Sequence, residues 1–408
     1  MKIWIKLLIG IILGLIIGFL VNTGNSVENL LGYLSRLFIQ IGRYVIFPMV
    51  FFSLVMGTYE LKREKKLFRV YGKILVYLLG STIILVIIGI LSVVIFSPER
   101  IPIITEKEKQ LQIYGIKEVF LHIFPSNLFK VFVEPGNFML PLVFLSFFLG
   151  VNMDFDKQLS RPALQFFDSM SRTLYHANSL IVELFGIAAI GIISYRVVYF
   201  RNVNMEIFKQ LLIILLFDTL FVVFAVYPAL LHLLGDRVNP YRWLYASLAS
   251  LVTALVTGDE YLSVGMLSKH GKESMGVKRS VGTAVYPIFA LFGRAGTAMV
   301  TSVSFILILR SYSSLELSFM QYLWVGLFSL LTSFFLFSVP GMGAFVSLAF
   351  LSSYYGKGLE DGYLILRPVI PLLVSAGVMV DVLTSSLVSF LIGKSEGLSE
   401  SGEIENFI

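Results

Sequence analysis

Long apolar stretches dominate the pattern of this chain. They recur at about residues 4–22, 31–57, 71–97, 119–152, 165–197, 207–235, 243–268, 280–310, 319–355 and 361–393. A helix needs about 20 apolar residues to cross the hydrocarbon core of a bilayer. Several stretches exceed one crossing, so they must tilt, break or fold back. The strongest break signals are Asn239-Pro240, Pro287, Gly293 with Gly296, and Pro340-Gly341-Met342-Gly343. Proline removes a backbone donor and glycine loosens a helix. Irregular backbone at membrane depth persists only where protein covers it or a water cavity meets it. The pattern therefore predicts a polar site between about 240 and 390, with the first half as spanning scaffold. No short-period repeat is visible. The interrupted zones near 256–265 and 338–346 are a candidate matched pair, as in transporters built from inverted repeats.

The first stretch begins Met1-Lys2-Ile3-Trp4-Ile5-Lys6 and runs apolar to Val21. A secretory signal would have a shorter apolar region and a small-x-small cleavage site. This run ends instead at Val21-Asn22-Thr23-Gly24-Asn25, which predicts a first transmembrane helix. Positive charge concentrates in Lys62, Arg63, Lys65, Lys66 and Arg69, and again in Lys269, Lys272, Lys278 and Arg279. Placing both clusters on the cytoplasmic side gives an in–out alternation with both termini inside. Arg196 and Arg201 then fall on the outer side, against the rule. The loop at 98–118 mixes both signs, and the tail after Lys394 is acidic and polar.

Composition adds the exclusions. Of 408 residues, 57% are hydrophobic and only 14% charged. A soluble domain is about half apolar and a quarter charged. The chain is thus a multi-pass membrane protein. It is not a cytosolic enzyme, a disordered protein or a nucleic-acid binder. Its net charge of +6 reads as loop charge. There is no cysteine. No Ser/His/Asp set, HExxH or P-loop appears, and His122, His176, His232 and His270 lack metal-ligand spacing. No enzymatic residue, cofactor or resident metal is expected.

Phe47-Pro48-Met49-Val50-Phe51-Phe52-Ser53-Leu54-Val55-Met56-Gly57 resembles the end of the second helix of the dicarboxylate/amino acid:cation symporters, the glutamate and aspartate transporter family, and further segments follow in that family's order. Pro125-Ser126-Asn127-Leu128-Phe129 and Leu140-Pro141-Leu142-Val143-Phe144 are similar to the start of the fourth. Asn239-Pro240 leading into Ala254-Leu255-Val256-Thr257 resembles the first re-entrant hairpin. Gly296-Thr297-Ala298 matches the end of the Asn-Met-Asp-Gly-Thr motif of helix 7. Val339-Pro340-Gly341-Met342-Gly343-Ala344 resembles the tip of the second hairpin, and Gly393-Lys394-Ser395-Glu396-Gly397 closes helix 8. The resemblance implies an all-α fold of eight transmembrane helices and two re-entrant hairpins. It also implies a homotrimer in the cell (plasma) membrane and an elevator mechanism for a small organic solute. Scaffold helices 1–2 would occupy 1–70 and transport-domain helix 3 would occupy 71–97. Scaffold helices 4–5 with an extracellular loop would take 98–206, the remaining transport domain 207–393, and a cytoplasmic tail 394–408.

The site departs from the family's pattern. The serine-rich tip of the first hairpin is Gly258-Asp259-Glu260-Tyr261 here, and the helix 7 motif is Gly293-Arg294-Ala295-Gly296-Thr297. An ungapped match of helix 8 puts Ile370 and Val374 where the family has aspartates, and Gly377 at its substrate-binding arginine. Asp381 stands for its asparagine and Ser385 for its last aspartate. Of the Na+ or H+ coupling that the resemblance implies, sodium coupling therefore loses most of its acidic ligands, and acidic substrates lose their arginine. The alternatives are a proton-coupled carrier using Glu260 or Asp381, an uncoupled carrier, or a non-transporting relative acting as a binding or sensor protein.

Charge at membrane depth costs roughly 2.5–3.5 kcal/mol per group on insertion scales, so it marks an interior or a cavity. The candidate substrate-binding residues are Arg294, Thr297, Asp259, Glu260, Gly341, Gly343, Asp381 and Ser385. Arg294 either replaces a bound sodium, grips a substrate carboxylate, or simply pairs with Asp381. Asp259 and Glu260 either bind an amine, carry protons, or lie at a wetted tip. Gly341 and Gly343 form part of a gate or a plain break between half-helices. Arg36 and Arg43 share one helix face, turned to lipid headgroups or a neighbouring helix. Glu183 and Asp218 are expected to be paired or interfacial.

Overall fold

The computed structural model describes residues 2–21, 24–102, 127, 129–133, 139–235, 238–313, 316–336 and 341–400. Pro125, Ser126, Leu128, Val339, Pro340, His122, most of the 98–118 loop and the tail from 401 lie outside the described residues.

Among the described residues the chain is helical, with a single β-bridge between Val277 and Ser399. The helices are α1 (Ile3–Leu20), α2 (Asn25–Arg43), α3 (Ile46–Arg63), α4 (Leu67–Phe96), α5 (Leu140–Asn152), α6 (Lys157–Glu183), α7 (Phe185–Arg201), α8 (Lys209–Phe221) and α9 (Tyr227–Leu234). They continue as α10 (Pro240–Thr257), α11 (Glu260–Glu273), α12 (Arg279–Phe292), α13 (Ala295–Tyr312), α14 (Phe319–Ser333), α15 (Gly343–Tyr355) and α16 (Ile370–Ser395). Among the described residues, six helical stretches are long and apolar enough to cross a membrane, and a seventh if α6 and α7, bent by 49°, form one span.

Two helix pairs turn back on themselves. Asn239 caps α10 by accepting from the Tyr241 N–H at 3.0 Å, with Pro240 at the first helical position. α10 ends at Gly258, whose φ of +62° suits a residue without a Cβ. Asp259 then caps α11, accepting from the Leu262 N–H at 3.1 Å. The return is antiparallel, because His270 Nδ1 meets the Ala246 carbonyl at 2.8 Å. In the second pair, Thr332 and Ser347 share a hydrogen bond of 2.8 Å, and Gln321 donates to the Tyr355 hydroxyl at 2.9 Å. So α14 and α15 also run antiparallel. Gly341, with φ +75°, leads into α15.

Pro287 does not break its helix. α12 runs through it to Phe292, and the interruption falls at Gly293-Arg294, where the backbone leaves helical angles. Glycine, with no side chain to hold the turn, yields where a proline inside a packed helix does not. α12 and α13 are almost wholly buried, as a central element should be.

Charge gathers at one end of the bundle. Lys66 donates to the Glu396 carbonyl at 2.6 Å, Lys73 pairs with the Glu396 carboxylate at 2.5 Å, and Arg279 pairs with Glu60 and Asp168. Lys394 donates to the Gly235 carbonyl there too. Both basic clusters thus meet at one face. Arg201 sits at the other, donating to the Val21 carbonyl at 2.9 Å beyond the end of α1. A seam of Gly10, Gly14 and Gly18 lets α1 lie against α7. A Cβ at Gly10 would come within 2.1 Å of the Gly186 carbonyl oxygen.

Candidate functional site

The tip of the first hairpin, the break between α12 and α13, the entrance to α15 and the middle of α16 meet in the interior. Arg294 lies in the break and is fully buried. Its guanidinium forms an ion pair with Glu260, the first residue of α11. The other oxygen of Glu260 accepts from the Gly341 N–H at 3.0 Å. One carboxylate thus joins three elements: the first hairpin, the broken helix and the second hairpin. Gly343 completes this contact, since a Cβ there would stand 3.3 Å from Thr297 Cγ2 and 3.7 Å from Arg294 Nη1.

Asp381, on α16, is held differently. It accepts from the Gly296 N–H at 2.6 Å, the Thr297 N–H at 3.3 Å and the Thr297 hydroxyl at 2.6 Å. These are the first free amides of α13, so Asp381 supplies from another helix the anion that an N-terminus favours. The helices touch there: a Cβ on Gly296 would come within 2.5 Å of the Gly377 carbonyl oxygen. Ser385, one turn on, has a buried hydroxyl with no hydrogen-bond partner among the described residues. Glu260, Asp381 and Ser385 line one void, open to a water's centre over about 10 Å³. That is room for roughly one water.

The expectation that Arg294 pairs with Asp381 is corrected. Asp381 lies within Coulombic reach of Arg294, but its oxygens are taken by α13. Glu260, projecting from the hairpin tip, makes the ion pair instead. Nor is the tip wetted: Asp259, Glu260, Arg294 and Asp381 are each at most 4% exposed. Arg294, Glu260, Thr297, Gly341, Gly343, Asp381 and Ser385 come together. Asp259 lies beside them, within Coulombic reach of Arg294, and its own ion pair is with Arg43 on α2, whose Nε donates to it at 2.8 Å.

Two arginines of the first half belong to this neighbourhood and were not expected in it. Arg43 holds Asp259. Arg196, on α7, donates to the Leu255 carbonyl at 3.0 Å and the Ser375 hydroxyl at 2.8 Å. A signal existed for Arg196, because it broke the loop-charge rule. It breaks that rule by lying against the hairpin and α16 rather than in a loop. Glu183 is paired as expected, with Lys6 and Lys269, but Asp218 is not: it is buried, accepts from the Ser92 hydroxyl at 2.7 Å, and its Oδ1 has no hydrogen-bond partner among the described residues. Among the described residues no cluster of three metal-binding side chains occurs.

Comparison with known proteins decides the lineage. A model of the sodium:dicarboxylate symporter family matches residues 3–395. The chain belongs to the sodium:dicarboxylate symporter family. It is 25% identical over 373 residues to the proton/sodium-glutamate symport protein of Bacillus caldotenax, covering 88% of this chain and 86% of that one. It is 25% identical over 379 residues to the C4-dicarboxylate transport protein of Bacillus subtilis, covering 90% and 88%. The proton/glutamate-aspartate symporter of Escherichia coli is 24% identical over 344 residues, covering 80% and 77%. The family's members are transporters and not enzymes, and the chain is a multi-pass membrane protein.

Proposed function

We propose that the protein is a secondary transporter of a small organic solute, an amino acid or a dicarboxylate, working by an elevator mechanism without sodium coupling. The observation that carries this reading is the Glu260 carboxylate, which binds Arg294 of the broken helix and Gly341 of the second hairpin at once. Two hairpin tips and a broken helix converging on one charged cluster make a solute site, not a structural span. Eight spanning segments with two re-entrant hairpins fit the order of the helices. In this reading α1–α3, α5, α6 and α7 form a scaffold, and α4 with α8–α16 form the moving unit. The basic face is cytoplasmic, with both termini there, in the plasma membrane. The homotrimer implied by the family belongs to the same reading.

Sodium is cargo in such a symporter, and this site is poorly made for it. Ala295 and Ser385 stand where the resemblance places aspartates, and the Arg294 guanidinium brings a permanent positive charge into the same space. A tethered cation repels a mobile one. The test is uptake of labelled amino acids and dicarboxylates into proteoliposomes, with and without an inward sodium gradient. Wild type should accumulate solute equally in both, and Arg294→Met should lose uptake or gain sodium dependence. Sodium-driven uptake by wild type would end this reading. A second reading, proton coupling, is favoured by the void that Glu260 and Asp381 share. Uptake that ignores an imposed pH gradient would remove it.

A further inference from the structure

The Arg294–Glu260 pair is closed. Both side chains are shut away from solvent, and no ligand-sized space separates them. A solute can enter only by opening the pair. Opening it bares two buried charges, and a buried charge stripped of its partner is strongly unfavourable. A ligand that carries only a carboxylate would satisfy Arg294 and leave Glu260 bare. A ligand that carries only an amine would do the reverse. Only a ligand with both signs replaces each partner in kind.

We propose that the Arg294–Glu260 pair is the specificity element of the site and admits a zwitterion, an α-amino acid with an uncharged side chain. Its carboxylate takes the place of Glu260 on Arg294, and its ammonium takes the place of Arg294 on Glu260. The inference rests on the transporter reading above and narrows it to one substrate class. Three observations carry it. First, Arg294 Nε and Nη2 have no hydrogen-bond acceptor among the described residues, so the guanidinium has donors to spare for a bidentate carboxylate. Second, Glu260 Oε1 has no donor among the described residues beyond that ion pair, while Oε2 stays fixed on Gly341. Third, Arg294 has no charge to spare for a second carboxylate. It already faces three carboxylates, Glu260 by direct ion pair and Asp381 and Asp259 within Coulombic reach. Residue 377, where the resemblance places an arginine, is a glycine pressed against Thr297. Arg43 is paired with the Asp259 carboxylate, and Arg196 already donates to the Leu255 carbonyl and the Ser375 hydroxyl. A dicarboxylate or an acidic amino acid would bring excess negative charge into this space.

The test uses the purified full-length protein. Thermal unfolding shifts and calorimetric titration are recorded with L-alanine, L-serine and L-leucine, with L-aspartate, L-glutamate and succinate, and with the half-ligands propionate and ethylamine. Uptake of the same labelled solutes is measured in proteoliposomes. At least one neutral amino acid should bind about tenfold or more tightly than every acidic compound, and neither half-ligand should bind. Tighter binding of succinate or aspartate, or no binding of any neutral amino acid, overturns the proposal. Uptake of acidic solutes alone would overturn it while leaving the transporter reading intact. Neutral amino acids that bind without flux would uphold it and remove the transporter reading. Glu260→Gln lowers the negative charge of the site, so it should move the aspartate-to-alanine affinity ratio toward aspartate. An unchanged ratio in a folded variant counts against the pair as the selecting element.

Discussion

Asp259 and Glu260 are neighbours on one hairpin tip, and their surroundings give them opposite tasks. Asp259 faces outward to α2. It caps α11 and pairs with Arg43, a side chain 20% exposed. Glu260 faces inward, to a guanidinium with no exposure and an amide of the second hairpin. Both carboxylates are buried, so the boundary between them is set by their partners: Asp259 meets an arginine that reaches solvent, and Glu260 meets one that does not. Salt can weaken the first pair from the Arg43 side, while the second is out of its reach. Position relative to that boundary, rather than residue type, separates the group that fastens the hairpin from the group that can meet a solute.

The sharpest way to break this comparison is to remove one half of the core pair. Glu260→Ala should destabilise the protein by about 3–5 kcal/mol, because Arg294 cannot lose its proton and loses its direct ion-pair partner, Asp381 being already held by α13. Adding Arg294→Met should recover most of that loss, since a methionine is at home where the guanidinium was. Unfolding in detergent of the two single variants and the double variant gives the coupling directly. Additive losses would mean that the pair is not the unit described here.

A smaller loss is expected at Asp381. The Asn variant keeps one acceptor oxygen where the carboxylate has two, and it loses the charge that favours the N-terminus of α13. Hydrogen bonds to a charged group contribute about 1.5–3 kcal/mol, so Asp381→Asn should fall near the lower end of that range. Thr297→Val removes only the hydroxyl donor and should cost less than Asp381→Asn. The reverse order would show that the hydroxyl, not the helix terminus, holds Asp381.

Much of this was legible in the chain. The apolar stretches give the helices, because each must hide its own backbone from lipid. The breaks at Gly293 and Gly341 mark where the polar core forms, and the charges at 259, 260, 294 and 381 gather there. Partner choice was not legible. Asp381 was the partner the sequence offered for Arg294, and only the crossing of α13 over α16 shows that its oxygens are already taken. Pro287 misled for a related reason: a proline signals a missing donor, but packing decides whether the helix gives way. Arg43 and Arg196 come from the first half of the chain. A pattern read along the sequence does not reveal which span lies beside which hairpin.

The smallest expected effect lies on the outer side of the boundary and tests whether that side is as soft as described. Asp259 does two things there, and two substitutions separate them. Asparagine is as good a helix cap as aspartate, so Asp259→Asn should keep the bond from Leu262 and lose only the attraction to Arg43. Arg43 is the half of that pair that reaches solvent, so the attraction should weaken as salt is raised. Alanine removes the cap as well, which adds about 1 kcal/mol whatever the salt. The difference between wild type and Asp259→Asn should therefore shrink between low and high ionic strength, while the difference between Asp259→Asn and Asp259→Ala should hold. A salt-independent loss of several kcal/mol in Asp259→Asn would place Arg43 in the dry core beside Arg294. The boundary drawn between the two neighbours would then have to move outward to include both.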